Sequence, residues 1–170
     1  MAYCWWSTAW YNGGTATWAP KPEDHPIYTP VHRYARNIIV SLNNWMTGWI
    51  DWNVVLDKDG GPNHVGNFCG APIMIDVDRD YVYYTPVFHV LAQLSRSIRP
   101  GDRAVSVALG PEVLAKDDLH ASGAVSPQGL LSVQVLNTTK EPIRYQLQVG
   151  EHVAEVEIPA NALQTVRVQL

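Results

Sequence analysis

The chain has 170 residues and a net charge of −4, with 46% hydrophobic and 16% charged residues. This composition excludes a disordered polar chain, and no apolar run approaches the roughly 20 residues that span a bilayer. Lysine and arginine are scattered rather than clustered, which argues against nucleic acid as a partner. We therefore expect a folded protein with no transmembrane segment, long enough for one ordinary domain and too short for two large ones.

The first predicted elements precede Asn53. Cys4 to His25 combines Trp, Gly, Thr and Pro without a helical or strand period, which is typical of a loop that carries function. A helix is predicted from Pro30 to Asn43, because apolar residues recur at helical spacing after the potential cap Thr29. Met46 to Trp52 follows as a short apolar and aromatic stretch, which favours a buried strand.

The connection from Asn53 to Tyr84 is far longer than most loops. Its length predicts either a functional loop or one that contains short strands. A second helix is predicted from Pro86 to Ile98, again with an apolar face at helical spacing, and it ends before Pro100.

Beyond Arg103 the pattern changes to period-two alternation of apolar and polar residues, separated by turn residues. This alternation predicts an antiparallel β unit. The alternating segments are Ala104–Leu109, Leu130–Leu136, Ile143–Val149, His152–Ile158 and Leu163–Leu170.

Aromatic residues separate these two parts of the chain. Of the seven Trp, eight Tyr and two Phe, only Tyr145 comes after Phe88. The order of helix, strand, long loop and helix, followed by consecutive strands, predicts the fold class as α/β followed by all-β: the last β/α units of a (β/α)₈ TIM barrel and a C-terminal antiparallel β-sandwich. A single apolar strand between two helices needs neighbours on both edges, so we expect a missing N-terminal barrel portion. A complete barrel takes about 250 residues, so this chain could supply only its last strand and helices. The predicted domains are residues 1–100 for the barrel part and 101–170 for the β-sandwich.

The clearest candidate site is Gly48 to Asn53, at the carboxyl end of the predicted strand. That end of a barrel strand faces the active site. Trp52 is placed to stack on the apolar face of a sugar ring, and Asp51 to hydrogen-bond its hydroxyls. The alternative interpretation is that these residues are core aromatics with a capping carboxylate. Asn67 and Phe68 lie in the Gly-rich loop that follows, where turn chemistry alone also accounts for the glycines.

No motif in the sequence indicates a metal or cofactor. Cys4 and Cys69 are far apart, and the six histidines form no paired spacing. Asp76, Asp78 and Asp80 alternate as in a calcium loop, but Tyr81 stands where that loop needs glycine, so a solvated turn is the better interpretation. We predict no cofactor and no metal site.

Three segments together closely resemble the C-terminal region of glycoside hydrolase family 30. They are Tyr34–Ile39, Leu42–Asn53 and Gly60–Phe68, the last with Ala71–Ile73 after it. Within the family the resemblance is greatest to the glucosylceramidase (acid β-glucosidase) branch. It implies a (β/α)₈ barrel joined to a β-sandwich, in which Trp52 lines the glucose subsite and Asn67 and Phe68 lie at the rim. Members of this family commonly work outside the cytoplasm.

The resemblance also implies retaining hydrolysis by two glutamates about 5 Å apart. Here the sequence departs from the family, because none of its six glutamates lies on a predicted barrel strand end. If Cys4 matches the cysteine that follows the family's nucleophile, the nucleophile and the acid/base both lie upstream of Met1. Whether Met1 is the true start of the protein stays open. This chain is then predicted to contain no catalytic residue. Its predicted substrate-binding residues are Trp52, Asn67, Phe68 and Asp51.

These observations predict the C-terminal portion of a retaining glycoside hydrolase that cleaves β-glucosides or glycosphingolipids and is inactive alone. Its partners are then the substrate and the N-terminal barrel portion. A different class of function stays open. The chain is then a self-sufficient carbohydrate-binding or interaction module whose binding surface is the Trp-rich loop, Cys4 to His25.

Overall fold

The computed structural model describes residues 2–3, 28–62, 70–116 and 118–170. They fall into two compact units. The first comprises the described residues up to Tyr34 together with Thr47–Ala92, and the second comprises Ala35–Met46 together with Gln93–Leu170. Among the described residues, no helix combines the length and the apolar character needed to cross a membrane.

The first elements are a short strand, a long helix and a second short strand: β1 (Ala2–Tyr3), α1 (Tyr28–Asn43) and β2 (Ile50–Asp51). The helix confirms the predicted one and ends at the predicted residue. Its last turn is closed by backbone bonds from Asn44 N–H to Val40 O and from Met46 N–H to Ser41 O, both 3.1 Å.

The predicted strand over Met46–Trp52 is much shorter in the structure. Only Ile50 and Asp51 form a ladder, in parallel with Ala2 and Tyr3 of β1. A strand needs a neighbour to satisfy its backbone, and this ladder extends over two residue pairs. Trp45 also turns the chain after α1, with a positive φ of 67°. The predicted strand segment Met46–Trp52 therefore contains the end of a turn and a two-residue strand instead of seven strand residues.

The long connection holds short strands, one of the two predicted alternatives. β3 (Val55–Asp57) pairs in parallel with β4 (Ile73–Asp76), and β4 pairs antiparallel with β5 (Tyr81–Tyr84). Leu56, Ala71 and Met74 form a small buried cluster beside Tyr83. Helix α2 (Pro86–Ser97) follows, close to the predicted bounds.

The remaining elements are β6 (Arg103–Val105), α3 (Pro111–Lys116), β7 (Leu119–Val125), β8 (Leu130–Asn137), β9 (Ile143–Val149), β10 (His152–Ile158) and β11 (Ala162–Gln169). The strands form a four-stranded antiparallel sheet in the order β11-β8-β7-β6 and a β9-β10 hairpin. Both sheets contribute side chains to one apolar cluster, which makes this part a β-sandwich. Its buried members are Leu119, Ala121, Leu131, Val133, Val135 and Ile158.

The second unit contains two elements that the sequence pattern does not predict, α3 and β7. The β7 segment does not alternate, because six of its seven residues are buried. Strand β8 is likewise covered on both faces: Gln134 is fully buried, and its Nε2 donates to Ser97 Oγ of α2 at 3.1 Å. In β7 the burial of both faces removes the period-two signal on which a strand prediction depends, whereas β8 keeps its alternation because its second buried face carries the polar residues Ser132 and Gln134.

Candidate functional site

The candidate site lies where two parallel strands end. The register of β1 and β2 pairs Tyr3 with Asp51, so their carboxyl ends lie side by side. Trp52 comes directly after this end and is 62% exposed. In barrel enzymes the carboxyl ends of the strands carry the active site. The structure therefore places Asp51 and Trp52 at the type of position that the sequence predicted for them.

The Asp51 carboxylate is held by two donors. Tyr34 Oη donates to Asp51 Oδ1 at 3.1 Å, and the backbone N–H of Trp52 donates to the same oxygen at 2.9 Å. Asp51 is half-buried. A half-buried carboxylate needs such donors to offset its desolvation. These contacts fit a carboxylate that orders the strand end, and a role of Asp51 in substrate binding stays a prediction.

The environment of Asp51 shifts its titration. Burial raises the pKa of Asp51 above its ordinary value, while the hydrogen bonds from Trp52 N–H and Tyr34 Oη act in the opposite direction. Burial is the largest of these effects, so the pKa of this carboxyl is raised overall. A side chain with this shift at a strand end is a candidate functional group, although packing alone also produces such shifts.

Tyr34 is a member of the site that the sequence reasoning did not single out. The helical pattern counts it with the apolar face of α1, and it is indeed only 4% exposed. Its ring meets Trp49 edge to face, with centroids 5.6 Å apart and an interplanar angle of 62°. The available signal was its hydroxyl, because a buried tyrosine oxygen usually requires a partner.

The Gly-rich turn after β3 is ordered by Asp57. Its Oδ1 accepts from the N–H groups of Asp59 at 3.0 Å and Gly61 at 2.8 Å, and Gly60 adopts a φ of 89° that glycine tolerates best. Residues 63–69 follow this turn and lie outside the described residues, as do the predicted rim residues Asn67 and Phe68. Of the four predicted substrate contacts, the structure thus brings together Asp51 and Trp52.

The alternating aspartates form a turn between β4 and β5. The buried Asp76 accepts from the N–H groups of Asp78 at 3.1 Å and Arg79 at 3.3 Å. The Lys58 ammonium group contacts the carboxylates of Asp76 and Asp78. The turn is thus closed by its own backbone N–H groups, and its carboxylates are paired with the Lys58 ammonium group. Within the described ranges, no three His, Cys, Asp or Glu side chains are placed to hold a metal ion.

The glutamates are concentrated elsewhere. Glu23 lies outside the described residues, and the other five are in α3, in β10 or in the connections next to β9. All five belong to the second compact unit, whereas Trp52 belongs to the first. The five are Glu112, Glu141, Glu151, Glu155 and Glu157.

The predicted location of the catalytic pair depends on the first residues of the chain. The sequence predicts the nucleophile and the acid/base upstream of Met1, from the match at Cys4. Met1 and Cys4 both lie outside the described residues, while Ala2 and Tyr3 between them form β1. No described glutamate lies on β1 or β2, the two strands whose ends form the candidate site. The location upstream of Met1 stays a prediction.

Comparison with protein families identifies both parts of the chain. The model of the glycosyl hydrolase family 30 TIM-barrel domain matches residues 19–98. The model of the glycosyl hydrolase family 30 beta sandwich domain matches residues 104–166. The chain belongs to glycoside hydrolase family 30. The predicted fold class, the end of a TIM barrel followed by a β-sandwich, is thereby confirmed. The domain division at residue 100 stays a prediction.

Individual relatives agree with this family 30 assignment. The chain is 35% identical over 111 residues to the lysosomal acid glucosylceramidase of Mus musculus, an alignment that covers 65% of this chain and 21% of that protein. It is 32% identical over 120 residues to putative glucosylceramidase 4 of Caenorhabditis elegans, covering 68% and 22%. The chain therefore spans about a fifth of the length of these curated relatives.

A solved structure gives the same result for the fold. SrfJ from Salmonella typhimurium superposes with a TM-score of 0.79 at 25% sequence identity, over 92% of this chain and 34% of the SrfJ chain. Nearly all of this family 30 chain therefore has a structural counterpart, and that counterpart is about one third of a larger protein.

Proposed function

We propose that this chain forms the last strand-and-helix portion of the barrel and the β-sandwich of a retaining β-glucosidase. Its substrates are β-glucosides of the glucosylceramide class. The name glucosylceramidase, which the mouse and nematode relatives carry, supports this substrate class. Family 30 membership supports the reaction type.

One observation carries the proposal. Trp52 is 62% exposed immediately after a strand whose carboxyl end lies beside that of a parallel neighbour. An exposed indole at this end of a barrel is suited to stack on the apolar face of a glucose ring. We therefore propose Trp52 as a wall of the glucose subsite, with Asp51 beside it, and Asn67 and Phe68 as the rim.

The proposal assigns the two catalytic carboxylates to residues upstream of Met1, outside these 170. Retaining hydrolysis needs a nucleophile and an acid/base about 5 Å apart on the two sides of the glycosidic bond. The five described glutamates lie in α3, in β10 or in the connections next to β9, and none belongs to the first unit, which contains Trp52. The chain then contributes to substrate binding, and the remaining barrel portion acts as its partner in catalysis.

Hydrolysis of an aryl β-glucoside by the purified 170-residue chain tests this assignment. We expect no turnover above a buffer blank, because the chain lacks the catalytic pair. The Trp52→Ala variant, prepared in parallel, is the control for contaminating glycosidases. Robust hydrolysis by the original chain, lost in the variant, would overturn the assignment of the carboxylates.

The second class of function, a stand-alone carbohydrate-binding module, is separated by isothermal titration with β-glucosides and glucans. We expect weak heat or none, since the subsite is incomplete without the rest of the barrel. Strong, saturable binding that survives Trp52→Ala would favour a module built on Cys4 to His25, which lie outside the described residues. Trp45→Ala is the matched control, because Trp45 is also an exposed tryptophan.

A further inference from the structure

We propose that Tyr34 is a positioning residue for Trp52 and acts on it through the Asp51 carboxylate. The identity of the ligand at Trp52 rests on the proposed function. The linkage itself, from helix α1 to the end of strand β2, rests on the geometry of three residues.

A single oxygen joins the two ends of this linkage. Asp51 Oδ1 accepts from Tyr34 Oη at 3.1 Å and from Trp52 N–H at 2.9 Å. The Trp52 amide nitrogen is bonded to the Cα atom that carries the side chain, so fixing the amide helps to set where the exposed indole points. Tyr34 is 17 residues away in sequence, on the helix that precedes the strand. The helix and the strand end are therefore connected through one acceptor atom.

Tyr34 is itself well fixed. It is 4% exposed on α1, and its ring contacts Trp49 edge to face. Its hydroxyl therefore presents a donor at a defined position without the side-chain ordering cost of a flexible group. Trp52 has the opposite character, with 62% of its surface exposed and correspondingly little packing to orient it. A fixed donor on the buried side thus compensates for weak packing on the exposed side.

A purely structural role for Tyr34 makes a different prediction. If Tyr34 only fills the space beside Trp49, removing its hydroxyl shifts the titration of Asp51 but leaves the solvent exchange of the Trp52 amide as it is. If Tyr34 positions Trp52, the same change alters both. Among the described residues, the groups that donate hydrogen bonds to Asp51 are the Tyr34 hydroxyl from α1 and the Trp52 amide of its own strand end, so each can be followed separately.

The test uses the full 170-residue chain labelled with ¹⁵N. The Trp52 amide is followed by NMR through a pH titration and by its rate of exchange with solvent. In the original chain we expect the amide to report one titration step from Asp51. In Tyr34→Phe the step should move to higher pH, because a hydrogen bond that favours the carboxylate is lost, and amide exchange should accelerate several-fold. Tyr81→Phe, an exposed tyrosine of the same unit, is the control and should change neither.

A second pair of variants keeps the test decisive if Tyr34→Phe does not fold. Asp51→Asn retains an oxygen that accepts from both donors, so the titration step should vanish while the slow exchange of the Trp52 amide is kept. Asp51→Ala removes the acceptor, so the slow exchange should be lost as well. Equal exchange in Asp51→Asn and Asp51→Ala, or unchanged exchange of the Trp52 amide in Tyr34→Phe, would overturn the linkage. No sugar is present, so failure of the proposed function in the glucoside assays would leave this result unaffected.

Discussion

The β-sandwich and the strand ends around Trp52 use hydrophobic residues in opposite ways. In the sandwich, strands β7, β8, β9 and β11 are seven or eight residues long, and their apolar side chains meet in one core. Around Trp52 the strands have two to four residues, and Ile50, Trp52 and Val54 are exposed. Long ladders with a shared core stabilise a fold, whereas short strands with exposed aromatics provide a surface.

This difference shows where stability and recognition are located in the chain. Ile158 of β10 is fully buried and contacts the sandwich core, whereas Trp52 is 62% exposed and contacts mainly solvent. A substitution in the sandwich should therefore change the free energy of unfolding. A substitution at the strand ends should instead change the local order around Asp51 and Trp52.

The largest effect is expected for Ile158→Ala. Ile158 is 0% exposed, and removing its side chain leaves a cavity between the two sheets. We expect a loss of about 3 kcal/mol in the free energy of unfolding, measured by urea denaturation with circular dichroism. Val153→Ala in the same strand is the control, because Val153 is 57% exposed and should cost about 0.5 kcal/mol or less. Equal losses in the two variants would contradict the division.

The two regions also differ in how they tolerate an added methyl group. A Cβ at Gly123 of β7 would lie 2.8 Å from Val105 Cγ2 and 3.3 Å from Val107 Cγ2, whereas a Cβ at Gly48 would meet nothing within 4 Å. We expect Gly123→Ala to lower the free energy of unfolding by about 1–3 kcal/mol through overpacking. Gly48→Ala should cause no loss by overpacking. A Gly123→Ala variant as stable as the original chain would contradict this expectation and show that the neighbouring valine side chains move to accommodate the methyl group.

A smaller effect is expected from the titration of Asp51. Its pKa is raised in the folded chain, so the folded state binds this proton more tightly than the unfolded state. The resulting stabilisation is complete below the unfolded pKa, near 3.8, and is lost as the pH rises through the folded pKa. Asp51→Asn does not titrate and should lack that decline. Unfolding of both proteins across this pH window checks the sign, and parallel curves would contradict it.

The smallest effect is expected at the surface of the β9-β10 hairpin. Arg144 Nε donates to Glu157 Oε2 at 2.8 Å, but both side chains are largely exposed. Exposed ion pairs contribute little, because water screens them and two long side chains must be ordered. Glu157→Gln should leave the urea midpoint unchanged at low and at high salt. A clear, salt-dependent loss would show that this hairpin depends on its surface charges more than on the sandwich core.

Much of the fold followed from local patterns. Helix α1 was predictable because its apolar residues repeat at helical spacing and the chain turns after Asn43. The hairpin β9-β10 was predictable because one face of β9 is partly buried and the other exposed. Strand β7 escaped prediction because Leu119–Val125 is buried on nearly all sides and contains small residues. The extent of β2 was overestimated because apolar character does not say how many residues find a partner.

The sequence by itself determined the family, the order of barrel end and β-sandwich, and the candidate status of Trp52 and Asp51. These depend on residue types at fixed spacing, which can be read along the chain. The tertiary structure alone decided that Tyr34 donates to Asp51 and that Gln134 donates to Ser97. Such relations involve residues that are distant in sequence. They are set by which helices and strands pack together, and no local period encodes that outcome.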